Sequence, residues 1–362
     1  MSLIPTGLIQ NILLWFGLYL IVSLSLNMEY GYGGIPNFGK AISVIVGAVV
    51  AGGIMTRILM AVYGVKGGIG GFSTATSVVS DKVTAIVQHN PIFGFLLFFA
   101  TIALAIVLGC IVGALFILPS ARLREDYLAI TLLAISETFT MICYYDQPII
   151  GGYYGVSVPD VFGFLQGSNR FLFFTAIILV IAGITYLFFE RLLNTPYGRL
   201  LKAMRENEDV IRVYGRDIMK VRMMTMAVGS GVAAIVGVLL SYFTLSVQAN
   251  SFMITGRTLW TFYPFLIILL GGAGNNKGVV AGTFIFVTVM ELIDFYKSSI
   301  VAMLNLPVEA VWLEYILFGV MMLLILYYKP EGLIPEKPIV TDPIKRAYET
   351  RKVAVRGVRK EE

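Results

Sequence analysis

The sequence predicts an all-α fold: a polytopic bundle of transmembrane helices. Of its 362 residues, 57% are hydrophobic and only 14% are charged, and the mean hydropathy is +0.83. Soluble globular proteins carry about 25% charged residues. Several uncharged runs reach the roughly 20 residues that one helical crossing of a bilayer requires. These runs do not alternate in polarity as membrane barrel strands do, so the spanning elements are predicted to be helices.

The candidate crossings follow one another along the chain. Four apolar runs contain no charge: residues 8–28, 91–121, 171–189 and 223–256. Five further stretches contain one or two charges or a Gly/Pro break: residues 41–62, 127–145, 258–270, 279–295 and 310–328. Together they predict about nine crossings, with eight or ten as alternatives. The first run has no basic residue before it and no cleavage pattern after it, which is typical of a retained helix.

The positions of the basic residues predict an orientation. Lys and Arg cluster at Arg122 and Arg124, in residues 191–222, and in the tail from Lys329. Cytoplasmic loops of membrane proteins are enriched in Lys and Arg, so all three segments are predicted to face the cytoplasm.

Three other segments have few basic residues and are predicted to face outward: residues 69–88, 153–169 and 247–254. We expect residues 1–336 to form the transmembrane domain. Residues 337–362 are expected to form a basic cytoplasmic tail near anionic lipid.

The polar stretch at residues 191–222 is unusually long, because connections between packed helices are commonly a few residues long. Within it, Thr195 can cap a helix that begins at Pro196, and Gly215 suits a helix C-terminus. Apolar residues recur at helical spacing: Leu200, Leu201, Met204, Ile211 and Tyr214. This pattern predicts an amphipathic helix over residues 196–214 with a break near Asn207.

This amphipathic segment could rest on lipid headgroups or dock a protein. It is acidic as well as basic, with Glu206, Glu208 and Asp209 next to Arg205. Acids repel anionic lipid and suit specific pairing with a protein, so docking is the favoured interpretation.

Residues 34–41 (GIPNFGKA) come one residue short of a phosphate-binding loop. That loop needs Ser or Thr where Ala41 stands, and a strand before it in a soluble α/β domain. We therefore predict that any ATP is hydrolysed by another chain. His89 has no other His or Cys near it to build a metal site, and Cys110 and Cys143 lie in apolar runs as buried thiols. No cluster of nucleophile, metal ligands or paired carboxylates indicates a membrane enzyme.

Glu137 lies inside a predicted crossing, where a carboxylate is costly and usually faces a bundle interior. It could line a translocation path or join two helices, and the sequence favours neither. Glycines at Gly109 and Gly113, and again at Gly278 and Gly282, permit close helix approach. Residues 271–278 (GGAGNNKG) form either a broken helix beside a path or a tight turn, and the turn is slightly favoured.

Five segments, in order, resemble the signatures of one family: residues 25–41, 122–137 with 151–155, 195–215, 271–282 and 329–333. The chain resembles the permease subunits of branched-chain amino-acid ABC transporters of the LivH/LivM type, and is closer to LivM. Two positions depart from the family pattern, which usually has Gln where Ile35 stands and His where Lys40 stands. These departures bear on the identity of the substrate.

The resemblance implies an ABC importer permease fold in a prokaryotic inner membrane, working by alternating access. Residues 196–215 would be the coupling segment gripped by an ATPase. The residues it implies for ATPase coupling are Pro196, Gly198, Arg199, Ala203, Arg205, Glu206, Glu208 and Gly215. The candidates for the translocation path are Asn27, Asn37, Lys40, Glu137, Gly152, Gly271 and Gly272.

The resemblance also implies partners: a second homologous permease, two cytoplasmic ATP-binding subunits and an extracytoplasmic substrate-binding protein. This chain would hold no cofactor, because ATP and Mg²⁺ would bind to the ATPase subunits. The implied substrate is a branched-chain or other hydrophobic amino acid, with urea or short amides as the alternative. A stand-alone carrier or channel is the alternative from another class.

Overall fold

The computed structural model describes residues 6–65, 71–119, 123, 125–304, 315–316, 319–320, 323–324, 327–329 and 331–336. Arg122, Arg124 and residues 337–362 lie outside this range, so the expectations placed on them stay predictions. The described chain is almost entirely helical, as the composition predicts, and has one two-residue strand pair.

The first half of the chain contains seven helices and one strand. They are α1 (Thr6–Leu26), α2 (Lys40–Ala48), α3 (Thr56–Val62), α4 (Gly71–His89), α5 (Pro91–Ile117), α6 (Glu125–Tyr145), α7 (Gln147–Ile150) and β1 (Val156–Ser157). A π-helical segment, Asn27–Tyr32, extends α1, and a second, Val49–Met55, joins α2 to α3.

Residues 158–304 contain seven α-helices and the strand that pairs with β1. They are α8 (Gly167–Leu193), α9 (Pro196–Glu206), α10 (Glu208–Val213), α11 (Ile218–Thr244), β2 (Ser246–Val247), α12 (Ile254–Arg257), α13 (Tyr263–Gly271) and α14 (Asn276–Leu304). A third π-helical segment, Thr258–Phe262, joins α12 to α13.

Seven helices in the described residues are long and apolar enough to cross a membrane. They are Gly7–Tyr32, Lys40–Val62, Pro91–Ile117, Asp126–Tyr145, Gly167–Leu193, Ile218–Thr244 and Asn276–Lys297. A shorter apolar helix, Thr258–Gly271, matches the predicted stretch at residues 258–270. The ninth stretch, residues 310–328, falls largely outside the described residues, so the count of nine stays a prediction.

Helix α11 lies at the centre of the bundle and packs mainly against α5 and α2. Gly109 and Gly113 of α5 lie against Ser230 of α11, where an added Cβ atom would come within 3.0 Å of α11 atoms. Gly47 of α2 and Gly237 of α11 meet in the same way. The close approach predicted for the α5 glycines is confirmed, because only glycine leaves room for the backbones to touch.

The three predicted basic segments share one end of the bundle. Arg222 donates a hydrogen bond to the carbonyl of Leu123, which lies within the first of them. Glu336, which follows the last predicted crossing, pairs with Arg205. We term the end that carries these four residues the basic end.

The three segments predicted to face outward meet at the opposite end. The Ser157 N–H donates to Thr76 Oγ1 at 3.3 Å, and β1 pairs with β2 through Val156 and Val247. The described residues of these segments therefore lie at two opposite ends, while the side of the membrane that each end faces stays a prediction.

Most of residues 69–88, which the sequence predicts only to face outward, form helix α4. Its buried residues include Ala75, Val79, Val83 and Val87, which recur every fourth position and pack onto the bundle. Polar residues lie between these buried positions. A search for long uncharged runs therefore does not detect the helix, although its apolar residues have helical spacing.

We expect Gly113→Ala to destabilise the protein by about 1–3 kcal/mol, because the new methyl group would overlap Ser230 and the Met226 carbonyl. Gly183→Ala on α8 is the matched control, since an added Cβ there meets nothing within 4 Å. Thermal unfolding in detergent would measure both variants. Equal midpoints for the two would contradict the close approach of α5 and α11.

Candidate functional site

The coupling segment forms two short helices, α9 and α10, with the predicted signals at their ends. Thr195 Oγ1 accepts a hydrogen bond from the Tyr197 N–H at 3.2 Å, and Pro196 opens α9. Asn207 is extended (φ −161°) and separates the two helices. Gly215 has φ +72°, a conformation that glycine adopts without strain, and ends the segment. The predicted cap, break and terminal glycine are all confirmed.

The inner face of the coupling segment packs against the bundle through buried Leu201, Met204 and Ile211. Leu200 is half-buried beside them. Tyr214 is 79% exposed, so the prediction that it belongs to this apolar face is wrong. Helix α10 has already ended at Val213, and the helical spacing no longer sets the direction of Tyr214.

The predicted ATPase-coupling residues divide between an outer and an inner face. Five of them are exposed: Pro196, Arg199, Ala203, Glu206 and Gly215. Gly198 is buried at the corner between α8 and α9, where a Cβ atom would overlap the Leu193 carbonyl. Arg205 and Glu208 point toward the bundle, where Arg205 pairs with Glu336 and Glu208 pairs with Arg222.

Arg205 holds the coupling segment to the basic end. Its Nη1 donates to the Gly31 carbonyl, and its Nη2 donates to Glu336 Oε2 at 2.8 Å and to Glu206 Oε1 at 3.3 Å. Glu208 forms a second inward ion pair, with Arg222 of α11. The Arg205 bond to Gly31 and the Glu208 pair with Arg222 attach α9 and α10 to the membrane helices.

The environment of Arg205 favours its charged form. Burial alone would lower the pKa of the guanidinium, but the hydrogen bonds and charges of Glu336 and Glu206 outweigh burial and raise it. Arg205 therefore stays positively charged throughout the physiological pH range.

A buried charge cluster joins α1 to α2 near the basic end. Lys40 Nζ lies 2.7 Å from Glu29 Oε1, and Asn37 Nδ2 donates to Glu29 Oε2 at 2.9 Å. The Lys40 and Glu29 side chains have no exposed surface. Gly229 of α11 leaves the room that the Glu29 carboxylate occupies. The structure thus brings together two predicted path residues, Asn37 and Lys40.

Sequence reasoning missed Glu29, the residue that organises this cluster. A carboxylate directly after the first uncharged run was a usable signal, because intramembrane charges are rare and usually paired. Its partner stands only 11 residues further along the chain.

A second polar cluster at the basic end bonds Asn27 to the connection between α13 and α14, which includes Gly271 and Gly272. Asn27 Oδ1 accepts from the Gly274 N–H at 2.9 Å, and its Nδ2 donates to Asn276 Oδ1 at 3.0 Å. The glycines form the tight turn between α13 and α14. The turn interpretation of residues 271–278 is confirmed, and Asn27 ties that turn to the end of α1.

Glu137 and Gly152 lie apart from these clusters. Glu137 Oε1 is 3.3 Å from Arg257 Nη1, and both side chains are about one-third exposed. This pair is a contact between α6 and α12, while a path role for Glu137 stays a prediction. Gly152 lies toward the opposite end, beside the Tyr144 carbonyl. The seven predicted path residues therefore do not form one site in this conformation.

An apolar cleft of about 550 Å³ opens beside the buried charge cluster. It is lined by Tyr30, Pro36, Phe38, Asp126, Ala129, Phe262, Phe265, Leu266 and Leu269. Asp126 is its one charged residue. A cleft of this kind can bind an apolar group, and the Asp126 carboxylate can pair with a cation. Among the described residues, no group of His, Cys, Asp or Glu side chains is arranged to hold a metal ion.

We expect Lys40→Met to destabilise the protein by about 3–5 kcal/mol, because Glu29 would stay buried without its counter-charge. The double variant Lys40→Met/Glu29→Leu should recover most of that loss. Lys277→Met, at an exposed position of α14, is the control and should be neutral. Thermal unfolding would compare all three. A double variant no more stable than Lys40→Met would contradict the pairing.

The chain matches known proteins over most of its length. Residues 8–326 match the family model of the branched-chain amino acid transport system permease component. A relative from Methanocaldococcus jannaschii, a probable branched-chain amino acid transport permease protein LivM, is 58% identical over 339 residues, or 94% of this chain and 96% of the relative. No solved structure matches the chain.

Two more distant relatives also match. The high-affinity branched-chain amino acid transport system permease protein LivM of Escherichia coli K12 is 24% identical, over 74% of this chain and 63% of the relative. A probable LivH permease of Methanocaldococcus jannaschii is 22% identical, over 81% of this chain and 82% of the relative. The chain is thus a multi-pass prokaryotic membrane protein and belongs to the permease family of branched-chain amino acid transport systems.

Proposed function

We propose that this chain is a membrane-spanning subunit of an ATP-driven importer for branched-chain or other hydrophobic amino acids. One observation carries the proposal: the coupling segment presents a charged outer face, while Arg205 and Glu208 bond it to the ends of α1 and α11. A segment built in this way can receive force from a soluble protein and pass it into the bundle. The printed names of the relatives support the substrate class.

The proposed orientation places the basic end in the cytoplasm, following the enrichment of Lys and Arg in cytoplasmic loops. The N-terminus of α1 and helix α4 would then face outward. Two ATP-binding subunits would supply ATP and Mg²⁺, and one of them would contact Arg199, Ala203 and Glu206. An extracytoplasmic binding protein would deliver the substrate to the opposite end.

A second permease would complete the translocation path. Relatives of both the LivM and the LivH type match this chain, which supports a pair of similar subunits. The apolar cleft with Asp126 at its edge fits the side chain and ammonium group of a hydrophobic amino acid. In this mechanism ATP binding shifts the population between outward-open and inward-open forms, because the ATPase dimer binds the two forms with different affinity.

We expect Arg199→Glu/Glu206→Arg to lower ATP-driven leucine uptake about tenfold or more, because reversing charges at an interface disfavours docking. The measurement is uptake into proteoliposomes that contain this chain with its partner permease, ATPases and binding protein. Arg199→Lys/Glu206→Asp, which keeps the sign of both charges at the same two exposed positions, is the matched control and should keep most of the uptake.

Two outcomes would contradict the proposal. Leucine uptake by this chain alone, without ATPase, would indicate a stand-alone carrier or channel. Transport of urea or acetamide in preference to leucine by the complete system would overturn the substrate class.

A further inference from the structure

Residues 331–336 are bound to the turn between α13 and α14. The Leu333 N–H donates to the Leu270 carbonyl at 2.8 Å, and the Ile334 N–H donates to the Gly271 carbonyl at 3.0 Å. Asn275 Nδ2 donates to the carbonyls of Ile334 (3.2 Å) and Pro335 (3.3 Å). These bonds leave the next residue, Glu336, beside the coupling segment.

The Glu336 carboxylate joins two cations of α9, and each of its oxygens takes one. Oε1 lies 2.7 Å from Lys202 Nζ, and Oε2 lies 2.8 Å from Arg205 Nη2. All three side chains are only 22–27% exposed. We term Lys202, Arg205 and Glu336 the Glu336 bridge. Its half-buried charges are screened less by water and salt than those of a surface pair.

Both cations of the Glu336 bridge also contact the end of α1. Arg205 donates to the Gly31 carbonyl, and Lys202 Nζ lies 5.0 Å from the centre of the Tyr32 ring. Gly274 of the α13–α14 turn packs against Arg205 and Glu336, where a Cβ atom would overlap the Glu336 carboxylate. Asn27 bonds the same turn to α1. The bridge thus lies where α9, the end of α1 and the α13–α14 turn converge.

We propose that Glu336 is a positioning residue that makes α9, the α13–α14 turn and the end of α1 move as one unit when an ATPase displaces the coupling segment. The inference rests on the proposed function. Without the carboxylate, Lys202 and Arg205 would keep their contacts with Tyr32 and with the Gly31 carbonyl, both at the end of α1. They would lose their ion pairs with Glu336, which belongs to the segment that is hydrogen-bonded to the α13–α14 turn.

The test uses the complete transporter and measures ATP hydrolysis and leucine uptake separately. We expect Glu336→Ala to keep ATP hydrolysis near the wild-type rate and to lower the leucine imported per ATP about tenfold, within the range of coupling between sites. Glu331→Ala, an exposed acid in the same segment, is the control and should keep both activities. Glu336→Asp, which keeps a carboxylate for Lys202 and Arg205 on a side chain shorter by one methylene, should retain part of the import per ATP.

A second measurement does not depend on transport. Hydrogen–deuterium exchange of the purified chain should show faster exchange at Pro196–Glu206 and at residues 271–275 in Glu336→Ala, with no change in Glu331→Ala. Unchanged exchange in Glu336→Ala would overturn the bridge. Parallel loss of hydrolysis and uptake would also overturn it, because that result indicates a merely structural role. A wild-type complex without ATP-driven uptake would instead overturn the proposed function, and the exchange result would still decide whether Glu336 joins the three elements.

Discussion

The ion pairs that hold the coupling segment to the basic end are the interaction on which the rest of this account depends. A guanidinium at the edge of an apolar bundle must find acceptors, since leaving its donors unpaired costs free energy. Arg205 finds them in the Gly31 carbonyl and in Glu336. These acceptors belong to the end of α1 and to residues 331–336, so one side chain fixes α9 to distant parts of the chain.

Three π-helical segments occur among the described residues: Asn27–Tyr32 extends α1, Val49–Met55 joins α2 to α3, and Thr258–Phe262 joins α12 to α13. The second lies toward the opposite end, where Gly52 packs against Val156 and Val247, while the first and third contact the start of α2. Such segments frequently occur at functional sites. The first carries Glu29, whose carboxylate holds Lys40 at the start of α2. The third supplies Thr261, whose hydroxyl accepts the Ala41 N–H at 3.0 Å. The region where α1 and α2 meet is therefore held together by specific polar contacts within an apolar bundle.

Much of the fold and part of the candidate site could be predicted from the sequence. The helix positions follow from the lengths of the apolar runs. The cap at Thr195 and the turn at Gly215 follow from the conformational preferences of residues within one short segment. The direction of Arg205 and the partner of Glu137 could not be predicted, because they depend on residues far along the chain. Glu336 illustrates this limit: nothing near it in sequence indicates that it lies beside Arg205, 131 residues away.

The central claim is that the outer face of the coupling segment contacts an ATPase in the cytoplasm. Cysteine crosslinking tests it most directly, in a chain whose Cys110 and Cys143 have been replaced. Ala203→Cys, on the exposed face, should crosslink to the ATPase subunit and should react with a membrane-impermeant thiol reagent only from the cytoplasmic side. Met204→Cys, the buried neighbour, should do neither. Labelling of Ala203→Cys from outside the cell, or no crosslink to the ATPase, would contradict the account.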